Sequence, residues 1–129
     1  MTENRHPGYE PDSPLWWGID PNGRPNAAKL RAIVKSTIAI AHPERIILFG
    51  SAARGDMNED SDIDLLVVAD TLDRRATARR IRRARPRRSA PLDVIVATAA
   101  EVEANRHDPC CFIHDALREG RVLYDARAD

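Results

Sequence analysis

Two stretches decide the fold of this 129-residue chain: Leu48-Phe49-Gly50-Ser51-Ala52-Ala53-Arg54-Gly55-Asp56 and, shortly after it, Ser61-Asp62-Ile63-Asp64-Leu65-Leu66-Val67. The first completes a short apolar run over residues 45–49, which predicts a buried strand, and residues 51–54 then predict the first turn of a short helix. The second predicts a strand over residues 63–69. The acidic, polar residues between the two stretches predict a loop.

Further helices and strands are predicted on both sides of this pair. Residues 27–41 carry apolar side chains at helical spacing, with Asn26 as a cap and Pro43 as the end. An Arg-rich helix is predicted over residues 72–85, and a third strand over Leu92-Asp93-Val94-Ile95-Val96.

The last part of the chain predicts two helices and an edge strand. Thr98 and Glu101 predict a capping box for a helix near residues 99–104. Asp108-Pro109 predicts the start of a helix that ends near Gly120 and turns four apolar residues inward, namely Phe112, Ile113, Ala116 and Leu117. Residues 122–124 follow as a candidate edge strand.

This order predicts an α/β (α+β) domain over residues 26–129, with a small mixed sheet of three to four strands flanked by helices. Residues 1–25 predict an irregular N-terminal arm that includes Trp16-Trp17. Twenty basic and twenty acidic residues cancel, so net charge indicates no partner. We see no signal peptide and no apolar run long enough to span a bilayer, and we expect a cytoplasmic protein.

Three carboxylates are the candidate catalytic and metal-binding groups. Asp62 and Asp64 lie two residues apart and can project from one face of a strand, and Asp93 joins them if the third strand pairs beside the second. Clustered carboxylates repel each other, and divalent cations, which prefer oxygen ligands, remove that penalty. Two metal ions can hold both the attacking and the leaving oxygen of a displacement at phosphorus. The competing interpretations are ion pairs with the Arg-rich helix and a solvated acidic turn.

Gly50 and Ser51 are the candidate phosphate-binding residues. Glycine lets a phosphate approach the backbone closely, and the start of a helix offers free N–H groups. The Walker P-loop pattern is absent from the sequence. Arg54 is near enough to contact phosphate, and a structural ion pair with Asp56 is an equal alternative.

The chain contains Gly-Ser, then ten residues, then Asp-x-Asp, and it has a third Asp in Leu-Asp-Val-Ile-Val. This pattern resembles that of the DNA polymerase β-type nucleotidyltransferase superfamily. Within it the chain looks most like the minimal nucleotidyltransferase (MNT) antitoxins that are paired with HEPN-domain toxins. The resemblance implies that Asp62, Asp64 and Asp93 hold two Mg²⁺ ions and that Gly50 and Ser51 hold the triphosphate of ATP. It also implies that Asp93 helps to activate the acceptor hydroxyl.

The activity implied by this resemblance is transfer of AMP from ATP to a hydroxyl of a partner protein, a Tyr of a HEPN toxin. Only 36 residues follow Asp93, which led us to expect that another molecule presents the acceptor. Two rivals stay open: transfer to a small molecule such as an aminoglycoside, and an antitoxin that acts by binding alone. An oligomer with the toxin is also open, and neither a membrane nor nucleic acid is an expected partner.

Overall fold

A computed structural model describes residues 27–56, 61–86 and 90–127 of the chain. These residues form a series of helices and strands. The predicted arm over residues 1–25 and the Asn26 cap lie outside these ranges. The described elements are, in chain order, α1 (Ala27–Ala41), β1 (Arg45–Phe49), α2 (Ser51–Arg54), β2 (Ile63–Val68), α3 (Arg74–Arg83), β3 (Leu92–Ala97), α4 (Ala99–Asn105), α5 (Phe112–Glu119) and β4 (Arg121–Asp125).

The four strands form one mixed sheet in the order β3-β2-β1-β4. β1 pairs antiparallel with both β2 and β4, and β2 pairs parallel with β3. The predicted small mixed sheet flanked by helices is therefore confirmed, and β4 is the expected edge strand. The parallel pair requires a crossover, which α3 supplies.

Helices cover both faces of the sheet. On one face, α1 and α3 pack on alternate strand residues such as Leu65, Val67 and Val94. On the other face, α4 and α5 pack on the intervening residues, including Leu66 and Val68. β2 is buried on both faces, which explains why its sequence is a nearly continuous apolar run. Among the described helices, none is long and apolar enough to cross a membrane.

Most predicted helix boundaries agree with the structure. α1 ends as expected before Pro43, with His42 in a left-handed conformation at φ 47°. α3 is shorter than the predicted 72–85, because Asp73 caps it and Leu72 is fully exposed ahead of it. The capping box of α4 is confirmed. The Thr98 hydroxyl accepts from the Glu101 N–H, and the Thr98 N–H donates to the Glu101 carboxylate.

The predicted helix start at Asp108-Pro109 is wrong. Asp108 closes a turn instead, in which its carboxylate accepts from the Cys110 N–H at 2.9 Å and its carbonyl accepts from the Cys111 N–H at 2.9 Å. The helix begins only at Phe112. Phe112 was expected to point inward but is 39% exposed, whereas Ile113 and Ala116 are buried as predicted and Leu117 is partly buried.

Candidate active site

Gly50 forms the junction between β1 and α2 in a backbone conformation that is almost exclusive to glycine. Its φ of 73° and ψ of −154° place it in a region where a side chain costs about 1–3 kcal/mol. A Cβ atom added at Gly50 would also overlap Oδ2 of Asp64. The absence of a side chain at Gly50 therefore lets the end of β1 lie directly against the Asp64 carboxylate.

Asp64 and Asp93 lie side by side at the beginnings of two parallel strands. They are register partners in the β2–β3 pair, and Phe49 is the register partner of Asp64 on the β1 side. Asp62 precedes β2 by one residue. The sequence prediction that the third strand pairs beside the second, and so brings Asp93 next to Asp64, is confirmed.

The three carboxylates interact through their charges. The pKa of Asp64 is raised from 3.8 to about 6, mostly by burial and then by the negative charges of Asp93 and Asp62, in that order. Arg54 acts in the opposite direction. Asp62 and Asp93 are exposed, so Asp64 is the carboxylate that most requires a compensating cation.

Arg54 lies at the end of α2 and makes the structural ion pair that the sequence left as an alternative. Its Nε is 3.2 Å from Oδ2 of Asp56, and its Nη1 is 4.0 Å from Oε1 of Glu119. About half of the Arg54 side chain is exposed, so these contacts leave guanidinium surface available to a phosphate. No local sequence pattern points to Glu119, because 65 residues separate it from Arg54 and the packing of α5 brings the two together.

The donor set suits Mg²⁺, which takes a few carboxylate oxygens together with water and substrate phosphate. Across the described ranges, no three His, Cys, Asp or Glu side chains converge closely enough to hold a metal ion on their own. The negative charges of Asp93 and Asp62 act on Asp64, and Arg54 offsets them only in part, so a cation at this position would be favourable. The chemistry and the placement of these residues fit a site that cations and a nucleotide assemble together.

The protein-family model described as the nucleotidyltransferase domain matches residues 27–119, which contain Gly50, Ser51 and all three acids.

This chain belongs to the nucleotidyltransferase domain family. A relative from Methanocaldococcus jannaschii, named as a candidate protein adenylyltransferase, is 38% identical over 81 residues, which are 63% of this chain and 78% of the relative. The resemblance read from the Gly-Ser and Asp-x-Asp residues is thereby confirmed for the family.

Two solved structures resemble this nucleotidyltransferase. One is described as a candidate nucleotidyltransferase from Sulfolobus solfataricus, with 21% identity, a TM-score of 0.49 and coverage of 78% of this chain and 86% of that chain. The other is a toxin-antitoxin with AMP-PNP, with 24% identity, a TM-score of 0.47 and coverage of 79% of this chain and 75% of that chain.

Proposed function

We propose that this nucleotidyltransferase moves AMP from ATP to a hydroxyl of a partner protein, a Tyr of a HEPN-type toxin, and thereby acts as an antitoxin. The observation that carries the proposal is the close approach of Gly50 to Asp64, with Asp93 in register beside it. This arrangement sets a turn able to receive phosphate next to three carboxylates. Such a combination suits chemistry at a phosphorus atom.

The reaction is an in-line displacement. The acceptor hydroxyl oxygen attacks the α-phosphorus of ATP, the bond from that phosphorus to the β-phosphate oxygen breaks, and pyrophosphate leaves. Asp93 is assigned the hydroxyl proton, because it is exposed at the start of β3, an edge strand of the described sheet, where an acceptor can approach it. Gly50, Ser51 and Arg54 are assigned to the triphosphate.

Asp62, Asp64 and Asp93 are the residues that would hold two Mg²⁺ ions. When bound, these ions neutralise the carboxylates and stabilise the charge that develops on the phosphoryl oxygens. The raised pKa of Asp64 supports this assignment, since burial and the neighbouring charges of Asp93 and Asp62 both disfavour its ionised form, and a bound cation would offset that.

The name of the archaeal relative supports a protein acceptor over a small molecule. The resemblance to the MNT antitoxins supports a HEPN-type toxin as that protein.

The test is incubation of the protein with labelled ATP, Mg²⁺ and the product of the neighbouring gene. Intact-mass measurement should show the partner heavier by one or more AMP groups, and peptide mapping should place them on a Tyr. The control is the same reaction with Asp62→Ala/Asp64→Ala, which should transfer nothing. Label on an added aminoglycoside, or neutralisation of the partner without any mass change, would overturn the proposal.

A further inference from the structure

We propose that the groove between α3 and the outer edge of β3 docks an extended, acidic segment of the acceptor protein. This inference rests on the proposed function, because it assigns the surface that brings the acceptor to the active site. The groove has a volume of about 410 Å³ and is lined by Arg side chains of α3 and by the middle of β3.

The positive charge of the groove comes from one side of α3. Arg74, Arg75, Arg79 and Arg82 line it, whereas Arg80 and Arg83 lie on the same helix and do not. Arg74 is held by an ion pair with Glu101. Among the described residues, no carboxylate forms an ion pair with the other three lining arginines. The groove therefore presents uncompensated guanidinium groups to whatever enters it.

The floor of the groove is a strand edge that has no neighbour in the described sheet. β3 is the outermost strand beside β2. The carbonyls of Pro91 and Ala97 accept hydrogen bonds from β2 and its continuation, at 2.8 and 2.9 Å. Backbone groups alternate sides along a strand, so the N–H and C=O of Val94 and Val96 point away from β2. An extended peptide can pair with these groups by strand addition.

One end of the groove lies next to the reaction centre. Val94 lines it, and the residue before Val94 is Asp93. A strand rises about 3.3 Å per residue, so a segment paired with Val94–Val96 lies within about 10 Å of the Asp93 backbone. The Asp93 side chain projects to the opposite face of the sheet, with Ile95, so the acceptor hydroxyl has to extend past the start of β3 to meet the carboxylate.

An acidic protein segment fits these features better than a nucleic acid does. Guanidinium groups bind carboxylates and phosphates alike. Among the described residues that line the groove, however, none is aromatic, whereas sites for single-stranded nucleic acid usually offer aromatic side chains on which bases stack. Its backbone donors and acceptors match another polypeptide backbone.

The helix supplies a matched pair of variants for the test. Arg79→Gln/Arg82→Gln removes two charges from the groove, and Arg80→Gln/Arg83→Gln removes two charges of the same spacing from the neighbouring face. The probe is a fluorescein-labelled peptide with a single Tyr flanked by Glu residues, and a peptide with Lys in place of Glu is its control. Anisotropy gives the dissociation constant at several salt concentrations, and mass measurement after addition of ATP and Mg²⁺ gives AMP transfer.

We expect the Arg79→Gln/Arg82→Gln variant to bind the Glu peptide about tenfold more weakly at low salt. The Arg80→Gln/Arg83→Gln variant should stay within about twofold of wild type, because its charges do not line the groove. Equally weak binding of the Glu peptide by both variants would mean that the protein's net charge, and not the groove, determines binding. That result would overturn the docking site. Tighter binding of a single-stranded oligouridine that depends on Arg79 and Arg82 would overturn the choice of ligand.

The two proposals can fail separately. Groove-dependent binding of the Glu peptide, with no AMP on this peptide or on any protein, would leave the docking surface in place and contradict the proposed function. AMP transfer to the partner protein at the wild-type rate by the Arg79→Gln/Arg82→Gln variant would leave the function in place and overturn the docking surface. Circular dichroism and ATP binding of both variants check that the fold and the nucleotide site are intact.

Discussion

The three carboxylates of the site differ at the scale of single residues, although the sequence presents them as equivalent. Asp62 and Asp93 are exposed, whereas Asp64 is partly buried beneath Gly50. The spacing of Asp62 and Asp64 predicted that they act together. It could not predict their unequal burial, because that depends on a turn 14 residues earlier in the chain.

Loss of either acid of the Asp-x-Asp pair should abolish transfer and leave the fold intact. Asp62→Ala and Asp64→Ala each remove a proposed ligand of both metal ions, while relief of carboxylate repulsion should not destabilise the metal-free protein. The measurement is the rate of AMP transfer, together with the circular dichroism spectrum. Wild-type rates in the double variant would show that the site lies elsewhere.

The raised pKa of Asp64 predicts a pH-dependent cost to stability. A carboxyl group whose pKa rises on folding, here from 3.8 to about 6, binds its proton more tightly in the folded protein. The folded state is therefore favoured below about pH 4, and this advantage is lost as pH rises through about 6. Asp64→Asn should raise the melting temperature near pH 7.5 and leave it almost unchanged near pH 4.

The measurement is thermal unfolding with a chelator present, so that no metal compensates the charge. Asp70→Asn is the matched control, since Asp70 is an exposed acid just beyond β2. We expect no comparable shift in this variant at either pH. An Asp64→Asn curve that follows wild type at every pH would contradict the assigned pKa.

At the scale of elements, the junction of β1 and α2 is the feature that the rest of the site depends on. Gly50→Ala should destabilise the protein by about 1–3 kcal/mol from backbone strain alone, and by more because the new Cβ meets Asp64. Both effects should also displace the turn at Gly50 and Ser51 that we propose to hold the triphosphate.

A double-mutant cycle separates the two contributions. In an Asp64→Ala background the overlapping carboxylate is gone, so Gly50→Ala should cost less in free energy of unfolding than it does in wild type. Urea unfolding of the four proteins gives the coupling. Equal costs in both backgrounds would mean that Gly50 is needed for its φ and ψ angles and not for its closeness to Asp64.

The elements also mark where sequence reasoning succeeds and where it fails. The strands and the α4 capping box were predictable because their signals are local: an apolar run, or Thr98 with Glu101 three residues later. The start of α5 was predicted wrongly because an Asp side chain can accept a hydrogen bond either in a turn or at a helix N-terminus. The Asp108 carboxylate accepts from the Cys110 N–H in a turn and does not cap a helix. The sequence showed the cluster of arginines in α3 but not which of them face β3, since that depends on the crossover.

At the scale of the whole molecule, cations and nucleotide should stabilise the fold as well as permit the chemistry. Under the proposed function, Mg²⁺ with a non-hydrolysable ATP analogue should bind the folded state and not the unfolded one, which would add about 2.7 kcal/mol at a concentration about 100 times Kd. The melting temperature should rise accordingly in wild type and stay unchanged in Asp62→Ala/Asp64→Ala. An equal rise in both proteins would show that the nucleotide binds without the carboxylates.

Neighbouring residues of β3 face opposite sides of the sheet, and this arrangement bears on how the protein would carry out repeated rounds of AMP transfer. Asp93 projects to the α4 and α5 face together with Ile95, whereas Val94 and Val96 project to the face that α3 covers. With an acceptor seated along α3 as we propose, pyrophosphate could leave and fresh ATP could enter without displacing it. The proposed docking surface therefore predicts processive transfer: with acceptor in large excess, doubly and triply modified molecules should accumulate while most of the acceptor is still unmodified.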